Sequence, residues 1–131
     1  LEGAPEAYPA KPKKKPKPTR RGAAFILEDA GEILLERRPP SGLLGGMLMP
    51  PGSDWAEGDA PDALAAAPAD AGWTRLGDVR HVFTHFALEL EVWSGTLKGE
   101  RPDGVWVNKP DAADAGVPSV GKKVLALALS G

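Results

Sequence analysis

The sequence of 131 residues contains no cysteine, which excludes disulfides, zinc–cysteine sites and iron–sulfur clusters within this chain. This absence fits a reducing cytoplasm. No apolar run reaches transmembrane length, and no signal-peptide apolar core is present before Gly22. The chain begins at Leu1 and its first methionine is Met47, so we expect a fragment or a processed piece of a longer protein. Its length suits one domain with a modest core.

Basic side chains are scarce outside the first part of the chain. Seven of the 16 lysines and arginines precede Gly22, whereas only 2 of the 18 acidic residues do. Residues 22–131 therefore hold 9 basic and 16 acidic side chains, a net charge of −7. An acidic body attracts nucleic acid poorly, so any DNA contact must come from the basic leader or from a local patch.

The leader, residues 1–19, carries five prolines interleaved with lysines. This spacing is incompatible with a helix and favours an extended, polyproline-like chain. We therefore predict an interdomain linker at residues 1–19 and a folded domain at residues 20–131. A basic nuclear-type signal or a phosphate-binding arm is the alternative function of the leader.

Apolar periodicity and turn residues predict the element order of the folded part. Strands are expected at residues 23–27, 33–37, 79–83, 86–92 and 105–107, with a Gly-Gly-containing apolar strand within 43–52. A helix is expected to begin near Asp59, with Pro61 in its first turn, and to run to Ala67. A closing helix is expected at residues 120–129, with Ser119 as its N-cap. This order predicts an α+β domain.

The predicted core consists of apolar residues at the inward positions of these elements. Its members are Phe25, Ile26, Leu34, Leu35, Leu48, Phe86, Leu88, Leu90, Val92, Val124 and Leu125. In the closing helix, we expect Leu129 to share the buried face with Val124 and Leu125.

The junction between the two central β-patterned runs has an unusual composition. Residues 80–86 hold both histidines of the chain and two of its three phenylalanines, together with a threonine. A core seldom needs an aromatic ring, a hydroxyl group and two imidazoles at a strand junction, whereas a planar ligand does. The candidate binding residues are Arg80, His81, Phe83, Thr84 and His85.

Two other interpretations of this junction stay open. His81 and His85 are spaced like metal ligands on a helix, but the strand pattern argues against a helix and a third ligand would have to be a carboxylate. Alternatively the role is structural: Phe83 packs into the core and the two histidines cap carbonyl groups at the strand ends.

A hairpin, an apolar Gly-Gly strand and then a helix is similar to the order of a Nudix-like domain, a mixed β-sheet packed with helices. Hydrolases of that fold carry a Gly-x5-Glu-x7-Arg-Glu-x2-Glu-Glu-x-Gly box whose glutamates hold magnesium. The positions six residues after the candidate glycines here are Pro51, Gly52 and Gly58, and the chain has no Glu-Glu pair. A free-standing hydrolase of oxidised nucleotides is therefore a disfavoured alternative, because its metal ligands are missing.

The chain resembles the C-terminal domain of bacterial A/G-specific adenine DNA glycosylases, the MutY family. Four strings carry the resemblance in order: Lys-Pro-Thr-Arg-Arg-Gly-Ala-Ala at residues 17–24, Leu-Leu-Gly-Gly-Met at 43–47, His-Val-Phe-Thr-His-Phe at 81–86 and Val-Pro-Ser-Val-Gly-Lys-Lys-Val at 117–124. The resemblance covers almost the entire chain, including the leader, which is similar to that family's interdomain linker.

The resemblance implies a DNA-repair module that senses 8-oxoguanine opposite adenine. In that family a Phe-Ser-His loop enters the DNA near the damaged base, and Phe83, Thr84 and His85 occupy this motif here, with threonine in place of serine. Arg80 and His81 are then candidate phosphate contacts. Catalysis would lie in an absent N-terminal domain with an acid pair and an iron–sulfur cluster, so we expect neither catalytic residues nor a cofactor in this chain.

The same resemblance implies particular partners and a setting. The expected partners are duplex DNA with the lesion and the protein's own catalytic domain, and the expected setting is a monomer in the bacterial cytoplasm. A protein-interaction domain of the same fold, whose exposed aromatic loop anchors a protein partner, is the alternative of another class.

Overall fold

The computed structural model describes residues 17–58 and 62–129. It contains seven strands, two 3₁₀ helices and one α-helix in those ranges. They are β1 (Thr19–Asp29), β2 (Glu32–Arg37), β3 (Leu48–Met49), β4 (Ala56–Glu57), a 3₁₀ helix at Ala63–Ala66, β5 (Thr74–Val82), β6 (Ala87–Thr96), β7 (Val105–Asn108), a 3₁₀ helix at Lys109–Asp114 and α1 (Ser119–Leu129). No helix in this part of the chain is long and apolar enough to cross a membrane.

The strands form a mixed sheet in the order β3-β2-β1-β6-β5, with β4 paired to β1 and β7 paired to β2. The pairing of β1 with β6 is parallel and runs from Thr19 opposite Ala87 to Glu28 opposite Thr96. The other strand pairs are antiparallel. Strand β1 is therefore central, and its parallel neighbour carries the hairpin that contains residues 80–86.

The apolar run of β1 is buried on both faces of the sheet. Ala24 and Ile26 pack with α1 and the inward residues of β6, whereas Phe25 and Leu27 pack on the opposite face. An uninterrupted apolar run is typical of a strand covered on both sides. The ring of Phe25 meets Trp73 at 5.1 Å between centroids, which closes the second face with residues that precede β5.

All eleven predicted core residues are buried, and the alternation along β6 is confirmed. The prediction for Leu129 is wrong, because its side chain is 40% exposed. Leu127 and Ala128 pack against the core in its place. With about 3.6 residues per turn, Leu129 falls beyond the edge of the face that Val124 and Ala128 define.

Two predicted elements are much shorter than expected. The alanine-rich helix is a four-residue 3₁₀ helix that ends before Pro68, and its predicted start at residues 59–61 lies outside the described part. A residue before proline avoids the α conformation, and alanine side chains offer little apolar area for packing. The apolar strand within 43–52 contains only β3, because Pro50 and Pro51 lack the N–H groups that a longer ladder needs.

Candidate nucleic-acid interface

Strands β5 and β6 form a hairpin whose connection is residues 83–86, with Thr84 and His85 at its tip. The backbone N–H of Phe83 donates to the carbonyl of Phe86 at 2.8 Å and closes the turn around these two residues. Thr84 and His85 are both exposed, and the Thr84 hydroxyl forms no hydrogen bond with another described residue. Lys17 Nζ donates to the Phe83 carbonyl at 3.0 Å, so the segment just before β1 contacts the tip.

Behind the tip lies a group of four rings, the hairpin aromatic cluster: Trp55, His81, Phe83 and Phe86. The Phe83 ring lies at its centre, with ring centroids 4.7 Å from His81, 4.9 Å from Phe86 and 6.2 Å from Trp55. Aromatic pairs at these separations attract each other beyond their area burial. The rings therefore pack against one another at the base of the tip, whereas Thr84 and His85 are exposed.

Two guanidinium groups lie over this cluster. The Arg20 guanidinium carbon is 4.4 Å from the centroid of the Phe86 ring, and that of Arg38 is 4.7 Å from the Trp55 ring. Cations at this distance over an aromatic face are attracted by the ring quadrupole. Sequence reasoning missed Arg20, Arg38 and Trp55 as site residues, because these contacts join distant parts of the chain.

The structure separates Arg80 from the other candidate residues. Successive side chains of a strand point to opposite faces, so Arg80 projects away from His81. Arg80 is exposed and lies opposite Glu89 in the β5–β6 register. Phe83, Thr84 and His85 are together at the tip, and His81 joins them through its contact with Phe83.

His81 is in an unusual environment for an imidazole. Its Nδ1 atom is buried and has no hydrogen-bond partner among the described residues. Burial lowers the pKa of His81 below its usual value of 6.5, and the nearby Lys123 ammonium lowers the pKa further. The structural interpretation holds for Phe83, which packs against the core. It does not hold for the histidines: among the described residues neither His81 nor His85 donates to a strand-end carbonyl, and the carbonyls of Arg80 and Phe83 accept from Lys123 and Lys17.

The turn that carries Leu-Leu-Gly-Gly-Met, residues 43–47, borders the cluster. Leu44 adopts the left-handed conformation, with φ of 58°, which is uncommon for a residue with a branched side chain. Arg37 Nη1 donates to the Gly46 carbonyl at 2.6 Å, and Arg38 Nε donates to the Leu43 carbonyl at 3.2 Å. Met47 and Leu44 line a recess beside Phe83 and His81. The turn thus presents apolar side chains next to the hairpin aromatic cluster.

The described residues contain no group of three or more histidine, aspartate or glutamate side chains that could hold a metal ion. A second recess next to the cluster is lined by Glu36, Arg37 and Trp55, and burial raises the pKa of Glu36 above its usual value of 4.5. A magnesium-dependent diphosphate site needs several oxygen ligands around the ion. This arrangement instead offers rings, a hydroxyl group and guanidinium groups, which suit nucleic acid.

Comparison with known proteins places this chain in a family. The NUDIX domain family matches residues 22–127, and the chain belongs to that family. A MutT protein from Methanosarcina mazei has the same fold, with a TM-score of 0.68 at 16% identity over 89% of this chain and 98% of that chain. The predicted α+β Nudix-like fold is confirmed.

Within the family, the resemblance to the C-terminal Nudix-like domain of MutY-type proteins is also confirmed. The human adenine DNA glycosylase is 31% identical over 89% of this chain, and the rat protein is 28% identical over the same share. The chain spans about a quarter of the length of these relatives, 25% and 27% respectively. The C-terminal domain of mouse MUTYH, solved in complex with human PCNA, matches 85% of this chain and 88% of its own, with 26% identity and a TM-score of 0.65.

Proposed function

We propose that this chain is the lesion-recognition module of an adenine DNA glycosylase, and that its hairpin tip senses 8-oxoguanine opposite adenine. The observation that carries the proposal is the exposed Thr84 hydroxyl on a two-residue tip held from behind by the hairpin aromatic cluster. Cleavage of the glycosidic bond belongs to another domain of the same protein, which also flips out the adenine.

The chemistry that Thr84 would perform is the reading of one base edge. Oxidation converts N7 of guanine from an acceptor into a donor and adds an oxygen at C8. A hydroxyl group both donates and accepts, so one side chain can match the altered edge. A good base contact is worth about 1–3 kcal/mol of discrimination. The rigid base of the tip lowers the entropic cost of that contact.

The remaining candidate residues take supporting roles in this proposal. Phe83 is half-buried among rings, so it supports the tip and its exposed part can contact a base. His85 is exposed beside Thr84 and can reach a phosphate group of the bound strand. His81 acts through Phe83, and Arg80 on the other face can reach a phosphate farther along the duplex.

The proposed partners are duplex DNA with the lesion and the protein's own catalytic domain, within a monomer in the bacterial cytoplasm. A second candidate is a protein interface, favoured by the solved complex of the mouse relative with PCNA. The tip, with Thr84 and His85 exposed and Phe83 half-buried, could anchor a protein in the same way that it approaches a base. Binding to damaged duplex separates the two, because a protein interface does not distinguish 8-oxoguanine from guanine.

The test is an amide chemical-shift titration of this chain at low salt with two duplexes, which carry either 8-oxoguanine or guanine opposite adenine. We expect shifts at Arg80 to Phe86 that are larger with the damaged duplex. Thr84→Val removes the hydroxyl group at nearly constant shape and should abolish that difference, whereas Thr84→Ser should retain it. Equal shifts confined to the basic residues before Gly22 would refute lesion sensing by the hairpin.

A further inference from the structure

A cleft next to the hairpin tip concentrates positive charge on an otherwise acidic body. It has a volume of about 480 Å³ and is open to solvent. Its lining residues include Arg20, Arg38, Leu43, Ser53, Asp54 and Trp55. We call it the Arg20–Arg38 cleft. Residues 22–131 have a surplus of acidic side chains, so this local reversal of sign needs a physical explanation.

The arginines of this cleft differ from three ion-paired arginines of the domain in how their charge is balanced. Arg21, Arg75 and Arg101 form ion pairs with carboxylates, at 3.4 Å, 2.6 Å and 2.7 Å. Arg20 and Arg38 form no ion pair with any described carboxylate and lie over aromatic rings instead. An aromatic ring attracts the guanidinium group without neutralising its charge. The N–H donors at the edge of the guanidinium group can therefore still bind an anion.

We propose that the Arg20–Arg38 cleft binds a phosphodiester group of the DNA duplex whose damaged base is read at Thr84. The inference rests on the proposed function and adds a second contact site to it. Guanidinium groups match the oxygens of a phosphate in a bidentate way, which favours this class of anion. Because both arginines pack on the hairpin aromatic cluster, a phosphate bound here orients the duplex relative to the tip.

One carboxylate works against this site. Asp54 lines the cleft and is exposed. Its negative charge should repel a phosphodiester and limit the affinity at low salt. Asp54→Asn should therefore strengthen DNA binding. That gain is a readout that does not depend on removing either arginine from its ring.

The experiment measures the affinity of this chain for the damaged and undamaged duplexes between about 50 mM and 200 mM salt. Arg38→Gln and Arg20→Gln should each lower the affinity for both duplexes by about fivefold to tenfold. Each should also flatten the slope of log affinity against log salt by about 1. Asp54→Asn should increase the affinity for both. Arg75→Gln, which removes an ion-paired arginine, is the matched control and should change little.

A free phosphate is the other source of the same anion. Inorganic phosphate should shift the Arg20 and Arg38 side-chain resonances only at concentrations far above those of the duplex, because it lacks the contacts at the tip. Equal shifts at equal concentration would overturn the assignment to DNA and identify a site for small phosphates.

Several results separate this proposal from the proposed function. If Arg38→Gln and Arg75→Gln bind DNA with the same affinity, the cleft proposal is wrong. Lesion sensing still stands if Thr84→Val lowers the ratio of the affinity for the damaged duplex to that for the undamaged duplex. If Thr84→Val leaves that ratio unchanged while Arg38→Gln flattens the salt slope, lesion sensing fails and the cleft remains. If Arg38→Gln loses its cooperative thermal transition, the Asp54→Asn variant provides the test. The cleft proposal is then overturned if Asp54→Asn does not increase the affinity for DNA.

Discussion

The indole ring of Trp55 lies 6.2 Å from the ring of Phe83 between centroids, and the two planes differ by 24°. Arg38 packs on Trp55, and Phe83 begins the hairpin tip. Trp55 therefore joins the guanidinium side of the candidate interface to the loop that carries Thr84. Two features that the sequence separates by almost thirty residues are thus packed into a single unit.

Trp55→Ala should loosen this unit. Truncating a fully buried tryptophan to alanine lowers the unfolding free energy by about 3–5 kcal/mol. Because Trp55 is half-buried, we expect a decrease of about 1–3 kcal/mol. Trp55→Phe keeps a ring that both neighbours can contact, so its unfolding free energy should fall by about 1 kcal/mol or less. Urea denaturation measures both values. Phe83 ring resonances that are identical in Trp55→Ala and the unmodified chain would contradict the coupling.

The sequence was sufficient to predict features that depend on local periodicity. Alternation placed Leu88 and Leu90 in the core, and both are buried. The loop at Thr84 and His85 followed from the meeting of two strand patterns. Each of these predictions uses residues that are near neighbours in sequence, where strand geometry determines which side chains share a face.

Features that depend on long-range packing could not be predicted. Nothing near Trp55 indicates that it contacts Phe83, and the parallel pairing of β1 with β6 joins residues far apart in sequence. Likewise, the residues around Arg20 carry no signal for its contact with the ring of Phe86. Periodicity identifies a buried face but not the element that covers it.

The turn at residues 43–47 offers a test of backbone geometry with two adjacent glycines. A Cβ atom on Gly45 would lie 2.5 Å from the Pro40 carbonyl oxygen, whereas one on Gly46 meets nothing within 4 Å. Gly46 has a φ of 74°, so Gly46→Ala should cost about 1–2 kcal/mol from conformation alone. Gly45→Ala requires a backbone shift and should cost about 2–3 kcal/mol. Equal midpoints in urea denaturation would show that the turn absorbs the clash.

The closing helix offers a matched pair of leucines. Leu125 is fully buried, whereas Leu129 on the same helix is 40% exposed. Leu125→Ala creates a cavity under the sheet and should lower the unfolding free energy by about 2–5 kcal/mol. Leu129→Ala should change it by no more than about 0.5 kcal/mol. Thermal denaturation of both variants checks this, and a comparable loss in Leu129→Ala would mean that the helix end packs more tightly than described.

His81 should make the stability of the domain depend on pH. Burial and Lys123 lower its folded-state pKa below 6.5, so as the pH falls past 6.5 the unfolded chain takes up a proton before the folded one. The unfolding free energy should therefore decrease as the pH falls through this window, and this contribution should be absent in His81→Gln. Urea denaturation between about pH 5 and pH 8 measures the decrease. An NMR titration of the His81 ring gives the pKa directly, and a midpoint at or above 6.5 would contradict the burial of its Nδ1 atom.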